Sequence, residues 1–186
     1  MNKFFSLCSL IALSPILVLI YIVGEKPILF FQERVGKNEE KFLIIKLRTM
    51  IDNHIEEPRK NLTLEEKRNN YKTTEVDDKR ITKIGILLRK YHLDEIPQFL
   101  NVLKGDMNIV GPRPDVPAQE YDYDPIEWKQ RHKIKPGITG LSQIVRLKNE
   151  RHRQKVDLLY VKKKSLSLDM IIIIKTILKI FKGDSL

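Results

Sequence analysis

One cysteine, Cys8, stands in a chain of 186 residues. That scarcity excludes an internal disulfide and a cysteine-rich zinc site, and it permits a reducing, cytosol-facing setting. The four histidines form no cluster that would compete as a metal centre. Aromatic residues interleaved with basic ones, which a single-strand nucleic-acid platform uses, are also lacking. Acidic charge is short, with 24 Asp and Glu against 34 Lys and Arg. Only Lys3 precedes residue 25, so the remainder carries 33 minus 24, or +9. That balance calls for an anionic partner, and nucleic acid, anionic lipid and a phosphorylated substrate all meet the demand.

Charge is missing altogether from residues 4–24, FFSLCSLIALSPILVLIYIVG. At about 1.5 Å per residue this run is long enough to cross a hydrocarbon core of about 30 Å. Ser14-Pro15 lies at its centre. Proline donates no backbone hydrogen bond and clashes with the preceding turn, which predicts a helix-break-helix, and the Ser14 hydroxyl is placed to satisfy the freed carbonyl. Each half then reaches about one leaflet. A re-entrant hairpin, a kinked span and a cleaved signal peptide remain open, although Tyr21-Ile22-Val23-Gly24 offers no small-x-small cleavage site. Lys3 and the basic remainder both favour the cytoplasmic side, and only the hairpin lets both stay there. The expected organisation is a membrane segment at 1–24 and one domain at 25–186.

Residues 28–34 and 41–48, ILFFQER and KFLIIKLR, flank the turn-like VGKNEE and read as a β-hairpin. Alternation puts Lys46 and Arg48 on one face of the second strand. Residues 51–80 are strongly polar and read as a surface loop with a weak capping box from Thr63 to Glu66, and neither their charges nor His54 acquire chemistry. In residues 81–91, Ile84, Leu87, Leu88 and Tyr91 recur at helical spacing behind Thr82 as N-cap.

The run YHLDEIPQFLNVLKGDMNIVGPRP is the chemical centre. Residues 94–103 read as a helix with Asp94 at or near its N-cap, Pro97 in the first turn and Gly105 just beyond the end. Asp94 and Glu95 admit two readings. They cap free N–H groups at the positive end of the helix dipole, or that same field keeps a carboxylate ionised as a nucleophile or metal ligand. Two neighbouring acids repel, and a divalent cation such as Mg²⁺ relieves that repulsion when a substrate phosphate supplies further oxygens. MNIV predicts a short buried strand, after which GPRP leaves Arg113 few conformations. Its planar fork suits a phosphate or a salt bridge.

Residues 121–132 read as a loop and a short helix starting near Pro125, with Trp128 in the core, Arg131 a phosphate candidate and His132 a surface imidazole. Residues 150–164 form a basic helix on which Asp157 and Tyr160 share a face. From Asp169 to residue 182, Met170, Ile173, Ile174, Ile177 and Phe181 make an apolar stripe with Lys175, Lys179 and Lys182 off it. A helix of that pattern lies in a headgroup plane or packs on the core, and Asp169 begins it.

FFQERVG, IIKLRTM, DDKRITKIGILLRK, LDEIPQFLNVLKGDMNIVGPRP, RHKIKPGITG and SLSLDM occur in an order and at intervals that resemble bacterial sugar transferases, the small monotopic polyprenyl-phosphate phosphoglycosyl transferases. The Ser-Pro break matches too. The resemblance covers nearly the whole chain. It implies an α+β, mostly helical fold with a re-entrant membrane segment, a small β-hairpin and interfacial amphipathic helices, at the cytoplasmic face of a bacterial inner membrane. The implied reaction passes a phospho-sugar from a nucleotide diphosphate sugar to a polyprenyl phosphate in the bilayer, releasing nucleoside monophosphate, as the first membrane step of glycan assembly. Carried over by position, Asp94 is the nucleophile of a covalent intermediate, Glu95 assists, Mg²⁺ sits at the pair, and Lys46, Arg113 and Asp169 hold substrate, with Arg131 beside them. Partners would be a second copy or other glycan-pathway enzymes, and no nucleic acid. The family's longer basic lead is reduced to MNK here, and after PGITG the chain reads LSQIVRLKN, with Arg146 standing in a segment expected to touch sugar or nucleotide. The rival expectation is a membrane-tethered basic domain that binds nucleic acid or acidic lipid without catalysis, through charge alone.

Overall fold

A computed structural model describes residues 2–24, 26–51, 78 and 80–182. Helices predominate, as expected, and two small two-stranded sheets accompany them. The polar stretch with His54 and the Thr63 capping box lies outside the described residues.

The apolar run forms helix α1, Asn2–Val23, with Pro15 inside it. The expected break therefore takes the form of one proline-bearing helix and does not divide it in two. Pro15 leaves the Ile11 carbonyl without its intrahelical donor, and the Ser14 hydroxyl donates to that carbonyl at 2.7 Å. Ser6, Ser9, Leu10, Leu13, Leu17 and Ile20 are the residues of α1 withdrawn from solvent, and their three- and four-residue spacing puts them on one face. That face is anchored on the rest of the chain at both ends. Asn2 Nδ2 donates to Asn108 Oδ1 at 3.0 Å and the buried Ser6 hydroxyl to the Phe99 carbonyl at 2.6 Å. Eighteen residues along from Asn2, Ile20 packs with Leu47 and Leu88.

Strands β1, Leu29–Val35, and β2, Lys41–Leu47, form the expected antiparallel hairpin. Pairing of Phe30 with Lys46, Gln32 with Ile44 and Arg34 with Phe42 puts these six side chains on one face. The outer edge of β2 is closed by one side chain. Asn101, fully buried, accepts from the Ile45 N–H at 3.0 Å and donates to the Leu43 carbonyl at 2.7 Å, as a neighbouring strand would. A buried ladder group left without a partner costs about 1–3 kcal/mol, so this amide fixes the helix that carries it against β2.

Helix α2, Lys83–Lys90, starts where expected, with the Thr82 hydroxyl accepting from the Gly85 N–H at 2.8 Å. Gly85 lies so close to the end of the hairpin that a Cβ would stand 2.2 Å from the Thr49 carbonyl oxygen, so this position requires glycine. Leu88 is buried, whereas Leu87 faces solvent with Ile86. Next come a 3₁₀ turn, Leu93–Glu95, and helix α3, Gln98–Lys104, which ends at Gly105 with φ 99°. The helix expected from residue 94 is thus split, because His92 enters the turn in the left-handed region at φ 53° and tightens the chain before Pro97.

Strand β3, Asn108–Val110, is the expected MNIV strand, and it pairs in parallel with β4, Gly137–Thr139, inside PGITG. Helix α4, Pro125–Arg131, is capped by Asp124, and Trp128 is buried as expected. Short helix α5, Leu141–Ile144, and helix α6, Glu150–Lys163, follow. Helix α7, Leu166–Lys182, begins three residues before Asp169, which sits in its first turn and does not open it. Ile172 is buried against Val110 and Tyr160, and Thr176 and Lys179 bond inward to Thr139 and to the Gln143 carbonyl. Lys179 is therefore committed to the domain. Met170, Ile171, Ile174, Ile177, Leu178 and Phe181 form the exposed apolar face of α7.

Candidate active site

Lys46 points from β2 into a cleft whose walls include Arg34, Glu95, Gln98, Arg113 and Ile138. Strand alternation supplies Arg34 and Lys46 from one face of the hairpin. The 3₁₀ turn supplies Glu95, the first residue of α3 supplies Gln98, and the rigid Gly-Pro-Arg-Pro after β3 supplies Arg113. Lys46 Nζ lies 2.8 Å from Glu95 Oε1, and Arg113 Nη2 lies 3.5 Å from the same oxygen. Burial alone would push the Glu95 carboxyl up, but the charges of Lys46 and Arg113 outweigh it and bring the carboxyl down to about 2.

Asp94 has the opposite surroundings. In a 3₁₀ turn successive side chains diverge by about 120°, so adjacency in sequence does not make the two carboxylates share partners. Asp94 is half-buried, and among the described residues it accepts no hydrogen bond and joins no ion pair. Burial, and then the charge of Glu95, push its carboxyl above the usual carboxylate range, against the pull of Lys46 and Arg89. Capping is not its role, since α3 has Pro97 at its N-cap position with no side-chain cap.

The loop that presents Arg113 is clamped along its backbone. Arg131 Nη2 donates to the Arg113 carbonyl at 2.7 Å, Arg34 Nη1 to the Pro114 carbonyl at 3.0 Å, and the Val35 N–H to the Asp115 carbonyl at 2.9 Å. Tyr160 donates to Asp169 Oδ1 at 2.7 Å, and its hydroxyl stands 3.3 Å from the Val110 carbonyl just ahead of the loop.

Arg131 and Asp169, expected to touch phosphate, do not line the cleft. Arg131 is buried with its fork filled, donating to Asp115 Oδ2 at 2.5 Å and to Asp157 Oδ2, and the two carboxylates hold its guanidinium well above its ordinary range despite burial. Asp157 thus pairs with Arg131 and not with Tyr160. Breaking such a buried pair by removing one partner costs about 3–5 kcal/mol, so Arg131 supports the loop from behind. His132 is buried too, its ring tilted against that of Trp128 with centroids 4.1 Å apart, and burial pushes its imidazole down.

Sequence reasoning missed Arg34, Arg89 and Gln98. Arg34 shares the Lys46 face, which strand register alone reveals. Arg89, bonded to Thr49 Oγ1 at 2.9 Å, looks in sequence like an ordinary cation at a helix C-terminus. Among the described residues no group of three or more His, Cys, Asp or Glu is arranged to hold a metal ion.

The cleft gathers cations from three elements around Glu95, and Asp94 stands next to Glu95 in the same turn but, like Arg131 and Asp169, is not part of the cleft lining. The chain belongs to the bacterial sugar transferase family, whose model matches residues 1–183. It is 35% identical over 173 residues to the UDP-N-acetylgalactosamine-undecaprenyl-phosphate N-acetylgalactosaminephosphotransferase of Aeromonas hydrophila, covering 89% of this chain and 38% of that protein. It is 36% identical over 189 residues to the UDP-glucose:undecaprenyl-phosphate glucose-1-phosphate transferase of Klebsiella pneumoniae, covering 95% and 38%. It is also 36% identical over 193 residues to the uncharacterized sugar transferase EpsL of Bacillus subtilis, covering 98% and 84%. The chain thus spans well under half the length of the first two.

The two carboxylates make opposite contributions to stability. A folded-state pKa below the unfolded value stabilises above the unfolded pKa and is lost as pH falls through the folded one, so the Glu95 contribution, roughly 3 kcal/mol, disappears between about pH 4.5 and 2. A raised pKa does the reverse, so ionised Asp94 destabilises the fold at neutral pH and protonation relieves it. In chelator-containing buffer at pH 7, Glu95→Gln lowers the melting temperature and Asp94→Asn raises it, and the Asp94→Asn gain shrinks as pH falls toward 4. Thermal unfolding across that range reads both signs.

Proposed function

We propose that this chain transfers a phospho-sugar from a UDP-sugar to a polyprenyl phosphate, through a covalent intermediate on Asp94. The observation that carries the reading is the half-buried, unpartnered Asp94 carboxylate, set beside a Glu95 already neutralised by Lys46 and Arg113 and within the field of Lys46 and Arg89. The relatives' reactions, as their names give them, join a UDP-sugar to undecaprenyl phosphate.

An Asp94 oxygen attacks the phosphorus that bears the sugar. A P–O bond forms, the bond to the nucleoside monophosphate breaks, and the enzyme holds an aspartyl phosphosugar. An oxygen of the polyprenyl phosphate then attacks the same phosphorus, the acyl–phosphate bond breaks, and the Asp94 carboxylate is regenerated. A carboxylate of raised pKa is the stronger nucleophile once ionised, and Glu95, held as an anion, leaves Lys46 and Arg113 oriented toward the transferring phosphoryl oxygens. Mg²⁺, a cation that takes one or two carboxylates and leaves its other positions to water and phosphate, would be held by Asp94, the carboxylate that Lys46 and Arg113 leave unpaired beside Glu95. Held there, it would supply charge neutralisation for the diphosphate.

The reading places the cleft at the cytoplasmic face with α1 re-entrant. Contacts of the same domain with both ends of α1 support that arrangement, as does the exposure of Phe4, Phe5, Ile11, Val18 and Leu19 along its outer side.

With Mg²⁺, undecaprenyl phosphate and UDP-sugars, Asp94→Asn loses nucleoside monophosphate release by at least a thousandfold, and retained turnover would remove Asp94 as nucleophile. For topology, cysteines placed at Lys3 and Lys129 in a Cys8→Ser background are labelled by an impermeant maleimide from one and the same membrane side. Labelling from opposite sides would establish a span.

A further inference from the structure

Gln98 is the first residue of α3, three positions beyond Glu95. It is only 2% exposed and lines the cleft together with Lys46, Glu95 and Arg113. Among the described residues its carboxamide has no hydrogen-bond partner. Neither its oxygen nor its nitrogen is among the fully buried unpartnered atoms, so the little of Gln98 that meets solvent includes its amide, whereas the neighbouring Asn101 uses both ends of its side chain on β2. Within the protein the amide bonds to nothing, so its hydrogen-bonding capacity is open to what enters the cleft.

Phosphate oxygens only accept hydrogen bonds, and the cations Lys46 and Arg113 already provide donors for them at this cleft. A carboxamide offers an acceptor and two donors side by side, and its complement is a hydroxyl group, which donates and accepts at once. Resting on the reading of the cleft as a nucleotide-sugar site, we infer that Gln98 binds a carbohydrate hydroxyl of the donor substrate, in the pyranose or the ribose, and so contributes to selection of the donor and not of the lipid acceptor. Contacts that its amide leaves to cleft solvent in the free protein pass to the donor when it arrives. A site of this kind discriminates strongly against a ligand lacking the hydroxyl, since the amide is then left buried and unpaired.

The test uses the full chain in lipid nanodiscs, with UDP-glucose and UDP-N-acetylgalactosamine as donors and undecaprenyl phosphate as acceptor. Gln98→Leu lowers kcat/KM for the preferred donor by about tenfold or more and leaves KM for undecaprenyl phosphate within twofold, while the melting temperature without substrate holds or rises. Gln98→Met replaces it should the leucine variant fail to fold. Calorimetry in the Asp94→Asn background separates the two sources of the hydroxyl. Equal loss of affinity for UDP and UDP-sugar assigns the ribose, and loss for UDP-sugar alone assigns the pyranose. Donor kcat/KM within twofold of wild type overturns the inference, and so does a melting temperature lowered by several degrees, which would show the amide to be part of the packing. Wild-type binding of UDP-sugar without turnover contradicts the transfer reaction and leaves the binding arms to judge Gln98. No binding of any nucleotide sugar overturns both.

Discussion

Lys46 and Arg113 converge on a single oxygen of Glu95, and the rest of the site depends on that convergence. Two carboxylates side by side in sequence would ordinarily repel and share whatever counter-charge is near. Here one takes both cations and the adjacent one takes none, so a short turn holds a neutralised anion beside a strained one. The division follows from backbone geometry. A left-handed His92 tightens the chain into a 3₁₀ turn, and three residues per turn send neighbouring side chains apart.

Holding that arrangement falls to polar side chains as much as to apolar packing. The buried apolar residues form several small clusters, joined by buried polar contacts. Asn101 welds α3 to the strand that carries Lys46, and Arg131 with Asp115 and Asp157 braces the backbone of Arg113. These groups set the relative positions of β2, the acidic turn and the arginine loop, which come from distant parts of the sequence. Exposed apolar faces on α1 and α7 belong to the same body as the cleft.

Local rules made much of this legible. The hairpin, the Thr82 cap, the MNIV strand, the helix at Pro125 and the Gly105 stop all follow from short-range chemistry, and the structure has them. Features that depend on distant partners were not legible. PGITG becomes a strand only because β3 pairs with it, and Arg131 and His132 look like surface cations until Asp115, Asp157 and Trp128 close over them. Asp94 invited a capping interpretation because Asp, Pro and a terminal Gly mark helix ends well, and nothing local announces a left-handed histidine two residues earlier. The apolar helix α1 was legible in length and in the role of Ser14, while the stripe that seats it on the domain shows its meaning only against Phe99, Asn108 and Leu47.

That Asp94 carries the transferred group is the claim on which the functional account turns, and mass spectrometry of the intact protein tests it most directly. With Mg²⁺ and its UDP-sugar but no polyprenyl phosphate, the wild-type chain gains the mass of one phosphosugar. Peptide mapping assigns it to Asp94, and adding undecaprenyl phosphate discharges it. Nucleoside monophosphate release that depends on undecaprenyl phosphate, with no adduct at any time, or an adduct on another residue, would contradict the account.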